Sequence, residues 1–562
     1  MPLSVLSVIQ TGQPGDPSQS SSFGFLGSAK GEPLKECNEA MARVAVIGAG
    51  VGGLSAAALL AAQGCEVRVF ERAGAPGGKM RLVQAGGAHL DGGPTVFTLR
   101  ETFEALFDAV GEDFAAHVRL RRLDVLARHA WSAEERLDLF ADPARSRDAI
   151  AAFAGPREAR AFDAFRHEAA RIFALLRKPF LEADKPPGPL HLTARMGRAG
   201  QLAGVFALRP YETLWGAVCG HFRDPRLRQL FARYATYCGA SPFQAPATLM
   251  LIAHAEQAGV WSVEGGMHAL AQALARLAEA KGARLQYGCA VAGIEVAGGR
   301  ARGISLESGE RWAADAVVCN ADPAAIAAGL FGAEAAPAVA PPPTRARSFS
   351  AVVWGLEAAP KGFALARHNV CFSRNYKAEF HDIRAGRAPT EPTIYVCAQD
   401  REEGLARPAG PERLLLIMNA PARGDGEPPT QEESEAWNTN ATASLTRCGL
   451  SLGPLTTAQR TSPWDFARLF PGTGGAIYGR ASHGWLGSFL RPKARTSLPG
   501  LYLAGGATHP GAGVPMAALS GRLAAQALLA DRARGRISAS FRPRAATPGG
   551  TWTPSAATAA SD

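Results

Sequence analysis

The chain has 562 residues, enough for two domains with sizeable cores, and its nine cysteines show neither a CxxC pair nor a His/Cys cluster at metal-ligand spacing. A disulfide-stapled scaffold and a zinc module are therefore excluded, and reduced thiols in a cytoplasmic protein are expected. The net charge of +10 suits an anionic surface, but no nucleic-acid recognition motif accompanies it, so nucleic acid is not an expected partner.

Residues 1–40 are rich in Ser, Gly and Pro and lack a sustained apolar period, which predicts a disordered extension without the basic n-region of a signal peptide. Met41, just ahead of the first strand, is the expected start of translation. The apolar run Arg43-Val44-Ala45-Val46-Ile47 then leads through Gly48-Ala49-Gly50-Val51-Gly52-Gly53 into the alanine- and leucine-rich stretch 54–62, a strand, tight turn and helix. Gly48 permits the turn, Gly50 opens backbone N–H groups to a pyrophosphate, and Gly53 lets helix and strand pack closely. The helix N-terminus adds partial positive charge. Beyond Gly64 the segment Glu66-Val67-Arg68-Val69-Phe70 reads as a second strand ending at Glu71, placed to accept two ribose hydroxyls. An acidic residue there disfavours a 2′-phosphate and leaves NAD and FAD both open.

The turn Ala75-Pro76-Gly77-Gly78-Lys79-Met80-Arg81 follows Arg72 and offers glycine backbone and two cations, and Asp91-Gly92-Gly93-Pro94-Thr95 breaks two extended stretches. Residues 100–250 read as mostly helical, an inserted domain broken by Pro-rich turns, with the apolar, aromatic segment 202–221 as core or a membrane-contact helix. From position 260 an α/β pattern returns: Glu264-Gly265-Gly266-Met267 opens a helix to Ala280, strands follow at 284–287, 291–296 and 303–306, and the strand 316–319 ends at Asn320-Ala321-Asp322-Pro323. Extended apolar runs at 351–354, 393–396 and 414–417 predict a mostly antiparallel sheet, a wall for an apolar ligand. A second glycine loop, Gly505-Gly506-Ala507-Thr508-His509-Pro510-Gly511-Ala512-Gly513, precedes a last helix over 514–529. The windows 44–65 and 496–521 carry no charge, yet both are glycine loops with their flanking elements rather than membrane spans. The basic tail 532–562 is expected to be disordered.

Gly500 through Ser520, with Gly-Leu-Tyr-Leu-Ala-Gly-Gly-Ala-Thr-His-Pro-Gly-Ala-Gly-Val, resembles the C-terminal signature of FAD-dependent carotenoid desaturases of the bacterial phytoene desaturase type, within the amine-oxidase-like flavoproteins. Ala507 departs from the usual Gly or Ser. The resemblance covers Met41 to about Asp531. It implies a Rossmann-like α/β FAD-binding domain built from discontinuous segments (41–115, 255–330 and 490–531) and a substrate and membrane-contact domain of antiparallel sheet plus helices (116–254 and 331–489). It also implies that Gly48, Ala49, Gly50, Val51, Gly52 and Gly53 wrap the FAD pyrophosphate and that Glu71 and Arg72 hold the adenosine side. Gly78, Lys79, Met80, Arg81, Gly93, Pro94 and Thr95 would run beside flavin and ribityl chain, Val291 would reach adenine, and Gly505, Gly506, Gly513, Val514, Pro515 and Met516 would face the flavin pyrimidine.

Gly93 to Thr98 and Gly511 to Ala517 look most like the 1-hydroxycarotenoid 3,4-desaturases, or methoxyneurosporene dehydrogenases. The implied reaction passes a hydride from an acyclic C40 carotenoid to flavin N5. A polyene delocalises the allylic cation left behind, so a weak base suffices, with His509 and Glu264 as candidates. A substrate insoluble in water implies a peripheral position on a membrane, and quinone or oxygen as the acceptor that reoxidises the flavin. Phytoene desaturation, a flavin amine oxidase and a non-enzymatic prenyl-lipid carrier remain alternatives.

Overall fold

A computed structural model describes residues 41–183, 188–198, 208–209, 211–402 and 410–537. The N-terminal extension, the segment 202–207 and most of the basic tail lie outside the described residues.

In the strand Arg43–Ile47, Val44 and Val46 point to one face and Ala45 and Ile47 to the other, and all four are buried. The same split recurs for Ala316 and Val318 against Val317 and Cys319, and for Tyr502 against Leu501 and Leu503. Strands apolar on both faces belong in a sheet covered twice. They form a five-stranded parallel sheet in the order Leu501–Leu503, Ala316–Cys319, Arg43–Ile47, Glu66–Phe70, Arg284–Gln286. The helices Val51–Ala62, Met267–Ala280 and Val514–Ala533 cover one face, and the antiparallel strands Val291–Ala297, Arg300–Leu306 and Arg311–Ala313 cover the other. Distant stretches of sequence thus build one sheet.

A second, seven-stranded sheet has the order Gln459–Thr461, Ser350–Ala358, Glu412–Ala420, Ile394–Ala398, His368–Cys371, Val125–Ala130, Arg136–Phe140. Its pairings are antiparallel except for that between His368–Cys371 and Val125–Ala130. Val352 and Trp354 pack under the helix Gln431–Arg447, while Ala351 and Val353 face the hairpin Leu82–Ala85 and Ala88–Asp91. The last two strands of this sheet fall in the stretch expected to be helical. Arg128 masks them in sequence, and its guanidinium is neutralised by Asp138 of the neighbouring strand, 2.6 Å away.

The helix Leu214–His221 buries Leu214, Ala217 and Val218 beside Phe165, Phe222 and Phe231. This helix is core rather than a membrane-contact helix. The hairpin residue Asp91 ties the two sheets together. Its carboxylate accepts from the N–H groups of Met267 and His268 at 2.7 and 2.9 Å, capping Met267–Ala280, while its own N–H donates to Gln399 at 2.9 Å. Burial raises the Asp91 pKa, and the two backbone donors act against that rise.

The first and last helices cross where no side chain fits. A Cβ on Gly521 would lie 2.1 Å from the Gly52 carbonyl oxygen and 2.9 Å from Ser55 Cβ. Gly521→Ala is expected to cost about 1–3 kcal/mol, since both neighbours belong to a helix that cannot yield. Denaturant unfolding with FAD retention checks this, and an unchanged midpoint would show that the crossing can relax.

Candidate functional site

The carboxyl ends of the parallel strands converge on a cavity of about 690 Å³. Ligands of α/β sheets bind at this edge, where strand ends leave backbone groups unpaired. Gly48, with φ +93°, turns the chain out of the first strand, and Gly50, Val51 and Gly52 open the first helix against the cavity. On the opposite side Gly505, Gly506, Gly513 and Val514 line it, with Gly513 preceding the last helix. Two helix N-termini therefore direct partial positive charge into one space.

Asn320, at the end of the strand Ala316–Cys319, stands between the two loops. A Cβ on Gly50 would lie 2.6 Å from its Nδ2, and Cβ atoms on Gly52 and Gly505 would lie 2.7 and 2.9 Å from its Oδ1. Its amide also reaches the Gly48 carbonyl at 3.5 Å. The sequence marked this residue only as a strand end; its position on the carboxyl edge of a parallel strand was the available signal. Asp322 caps the next short helix through the Ala324 N–H at 3.0 Å and lines the cavity too.

Glu71 is buried, and its oxygens accept from the N–H groups of Ala49 and Ala73 at 2.7 and 2.9 Å. Each oxygen keeps a further lone pair for a hydroxyl. Ala49 therefore acts through its backbone from behind the wall, while Arg72 and Val291 line the cavity near Glu71. Gly77 N–H donates to Ala49 O at 2.9 Å, which clips the second glycine turn onto the first loop and brings Gly78, Lys79, Met80 and Arg81 to the cavity. Lys79 is half-buried, its Nζ donating to Ile477 O at 2.6 Å and lying 5.2 Å from the Phe470 ring centre. Burial lowers its pKa, and Asp322 acts the other way. Gly93 is obligatory, since a Cβ there would lie 1.8 Å from Lys79 O. Pro94 and Thr95 complete this wall, with Thr95 Oγ1 2.7 Å from the Tyr395 hydroxyl.

Five other expected residues sit elsewhere. Gly53 packs against the strand turn, where a Cβ would lie 2.2 Å from Gly48 O; Pro515 and Met516 fall in the first turn of the last helix, away from the cavity lining. His509 is buried with its Nε2–H donating to Phe180 O at 2.9 Å and its ring edge-on to Phe180, so it holds the loop rather than facing the cavity. Glu264 is half exposed, 3.9 Å from Arg119, and also outside the cavity. The helix it was expected to open is capped by Asp91 instead.

Beyond the glycine loops the cavity extends along the seven-stranded sheet, where Ala351, Val353, Ile417, Phe466, Phe470 and Ile477 form an apolar wall. Further polar lining comes from Arg233, Tyr237, Tyr376, Glu379 and Asn419, none of which the sequence singled out. Their elements are helix and strand, and nothing in a linear pattern distinguishes a residue facing a cavity from one facing the core.

The residues fit FAD. Gly506 and Gly513 line the cavity, and a Cβ on either would meet no protein atom beyond its chain neighbours closer than 3.9 Å, so a side chain there would occupy the cavity itself. Twin helix N-termini, a buried acidic residue at the second strand and a cavity walled by apolar sheet define an FAD-dependent oxidoreductase.

Comparison with known proteins agrees. Residues 51–353 and 464–529 match the family of flavin containing amine oxidoreductases. "Hydroxyneurosporene desaturase" of Rubrivivax gelatinosus is 48% identical over 90% of this chain and 98% of its own. The protein of the same description from Cereibacter sphaeroides is 46% identical over 87% and 98%. A "zeta-carotene-forming phytoene desaturase" of Myxococcus xanthus is more distant, at 31% over 90% and 97%. An oxidoreductase structure from Methanosarcina mazei shares the fold with a TM-score of 0.55 at 18% identity, covering 87% of this chain and all of that one. The chain belongs to the flavin-containing amine oxidoreductase family, in its carotenoid-desaturase branch, and FAD is its cofactor.

His509→Asn is expected to lower stability by about 1–3 kcal/mol by disturbing the bond to Phe180 O, with turnover per bound FAD retained. Glu264→Gln should change stability by less than about 0.5 kcal/mol, and turnover not at all. Melting curves and FAD-normalised rates distinguish these outcomes from a role for either residue in proton removal.

Proposed function

We propose that this protein removes two hydrogens from adjacent carbons of an acyclic carotenoid, introducing the 3,4 double bond of a 1-hydroxylated substrate. The observation that carries this is the continuity of the cavity, which runs from the glycine loops into an apolar wall of Ala351, Val353, Ile417, Phe466, Phe470 and Ile477. The identity of 48% and 46% to relatives described as hydroxyneurosporene desaturases supports the same reading over an amine oxidase or a phytoene desaturase.

Bound FAD supplies the two-electron acceptor. The chain's own residues do the rest. Gly93 presents backbone without a side chain, the apolar wall excludes water from the polyene, and Thr95 and Tyr395 hold each other in place at 2.7 Å. Water exclusion protects an allylic cation from capture, while the polyene spreads its charge. His368, whose Nδ1 meets the Tyr395 hydroxyl at 2.7 Å, has its pKa lowered by burial to about 3 and is neutral at physiological pH.

The substrate's insolubility favours uptake from a membrane surface. No helix among the described residues is long and apolar enough to cross one. Tyr211, Trp485, Leu486 and Leu490 are exposed large apolar side chains, and the rings of Tyr211 and Trp485 lie 5.5 Å apart. Trp485 belongs to the chain segment that follows the cavity residues Ile477 and Tyr478. Aromatic and aliphatic side chains exposed together suit the headgroup boundary. The reading therefore places the protein peripherally on a membrane, with quinone or oxygen as the final electron acceptor.

Expression in cells supplied with hydroxyneurosporene is expected to yield a product lighter by two hydrogens with red-shifted absorbance; conversion of phytoene alone would replace this reading. Trp485→Ser combined with Leu490→Ser should reduce co-sedimentation with anionic liposomes without altering FAD content. Unchanged sedimentation would remove this patch from the membrane contact.

A further inference from the structure

The helix Tyr376–Arg384 places Tyr376, Glu379 and Phe380 on one face, and all three line the cavity. Tyr376 is 8% exposed and Glu379 2%. The Tyr376 ring packs among Trp215, Phe243 and Phe380, with centroids 6.0, 6.0 and 5.0 Å away, and its hydroxyl has no hydrogen-bond partner. Glu379 is anchored through one oxygen only. Oε2 accepts from Thr393 Oγ1 at 2.6 Å and Ser373 Oγ at 3.0 Å, while Oε1 has no partner in hydrogen-bonding geometry. Burial raises the Glu379 pKa, and Thr393, Ser373 and the nearby Asn419 act against that rise.

A buried donor and a buried acceptor left open on one helix face are costly unless a ligand satisfies them. We propose that Tyr376 and Glu379 form a clamp for an aliphatic hydroxyl at the end of the polyene substrate, and so select the alcohol over the hydrocarbon. The Tyr376 O–H donates to the alcohol oxygen, and the alcohol O–H donates to Glu379 Oε1. One hydroxyl, a donor and an acceptor together, completes both groups. A methyl ether can satisfy only the tyrosine in this arrangement, and a hydrocarbon satisfies neither. The clamp lies in the half of the cavity that holds the apolar wall, which Arg233 and Asn419 also line, so the bound hydroxyl fixes how far the chain slides past the glycine loops. It thereby selects the bond presented for dehydrogenation. Both residues position the substrate and take no part in breaking C–H bonds.

This inference rests on the carotenoid reading above, and the test separates the two. Purified FAD-loaded enzyme is supplied in liposomes with hydroxyneurosporene, its methyl ether, or neurosporene, and kcat/KM is compared for wild type, Tyr376→Phe and Glu379→Gln. Tyr376→Phe removes only an unpartnered hydroxyl, and Gln at 379 keeps an oxygen for Thr393 and Ser373 while presenting N–H groups to the cavity. The wild type is expected to favour the alcohol. In either variant kcat/KM for the alcohol should fall roughly tenfold or more while that for the hydrocarbon stays unchanged, because a site built for a hydroxyl loses discrimination when one partner is removed. Equal losses on both substrates, an unchanged ratio in both variants, or a wild type indifferent to the hydroxyl would overturn the clamp and leave carotenoid desaturation standing. A wild type that desaturates none of the three would overturn both.

Discussion

Gly52 and Gly521 meet backbone to backbone, and the rest of the molecule depends on that contact. It sets the first and last helices against each other on one face of the parallel sheet, so their N-terminal ends reach the same cavity. Asn320 then occupies the space that remains between the loops, close to Gly50, Gly52 and Gly505. A methyl group at any of these positions would force helices apart or displace the amide. The glycines therefore let one part of the chain approach another closely, and the same lack of side chains leaves the backbone of Gly50, Gly52 and Gly505 open to the cavity.

The second sheet converts a nucleotide fold into a site for an apolar molecule. Alternation along Ser350–Ala358 sends Val352 and Trp354 to a helix-covered core and leaves Ala351 and Val353 for the cavity. Small and β-branched side chains on that face leave room beside the flavin site. The hairpin ending at Asp91 crosses between the sheets, capping a helix of one layer and bonding Gln399 in the other. A polar residue in this position fixes the spacing of two layers that are otherwise joined by non-directional packing.

The polar lining of the apolar half shows a graded degree of satisfaction. Tyr237 and Tyr234 both donate to Glu256, and Tyr395 is held between Thr95 and His368. The three tyrosine hydroxyls are thus paired within the protein and stiffen the wall. Tyr376 and one oxygen of Glu379 stand apart from these pairs, buried among aromatic rings. Specificity in such a cavity comes from what is left unmade, since buried polar groups penalise a ligand that cannot complete them.

Much of the cofactor half was legible in sequence because a dinucleotide loop is local: strand, Gly48 to Gly53, helix and Glu71 lie within one short stretch, and backbone geometry there permits few residue types. The second glycine loop was legible for the same reason. The substrate half was not, since Arg233, Tyr376, Glu379, Tyr395 and Asn419 come from helices and strands whose patterns specify only which face is buried. His509 and Glu264 misled because a titratable residue beside a glycine turn has the same sequence appearance whether it lines the cavity, as Lys79 does, or lies outside it, as His509 does with its bond to Phe180 O. Local sequence thus determined the fold class, the cofactor loops and the family. Which side chains meet across the cavity was decided only by tertiary packing, because a cavity is bounded by surfaces brought together from distant strands and helices.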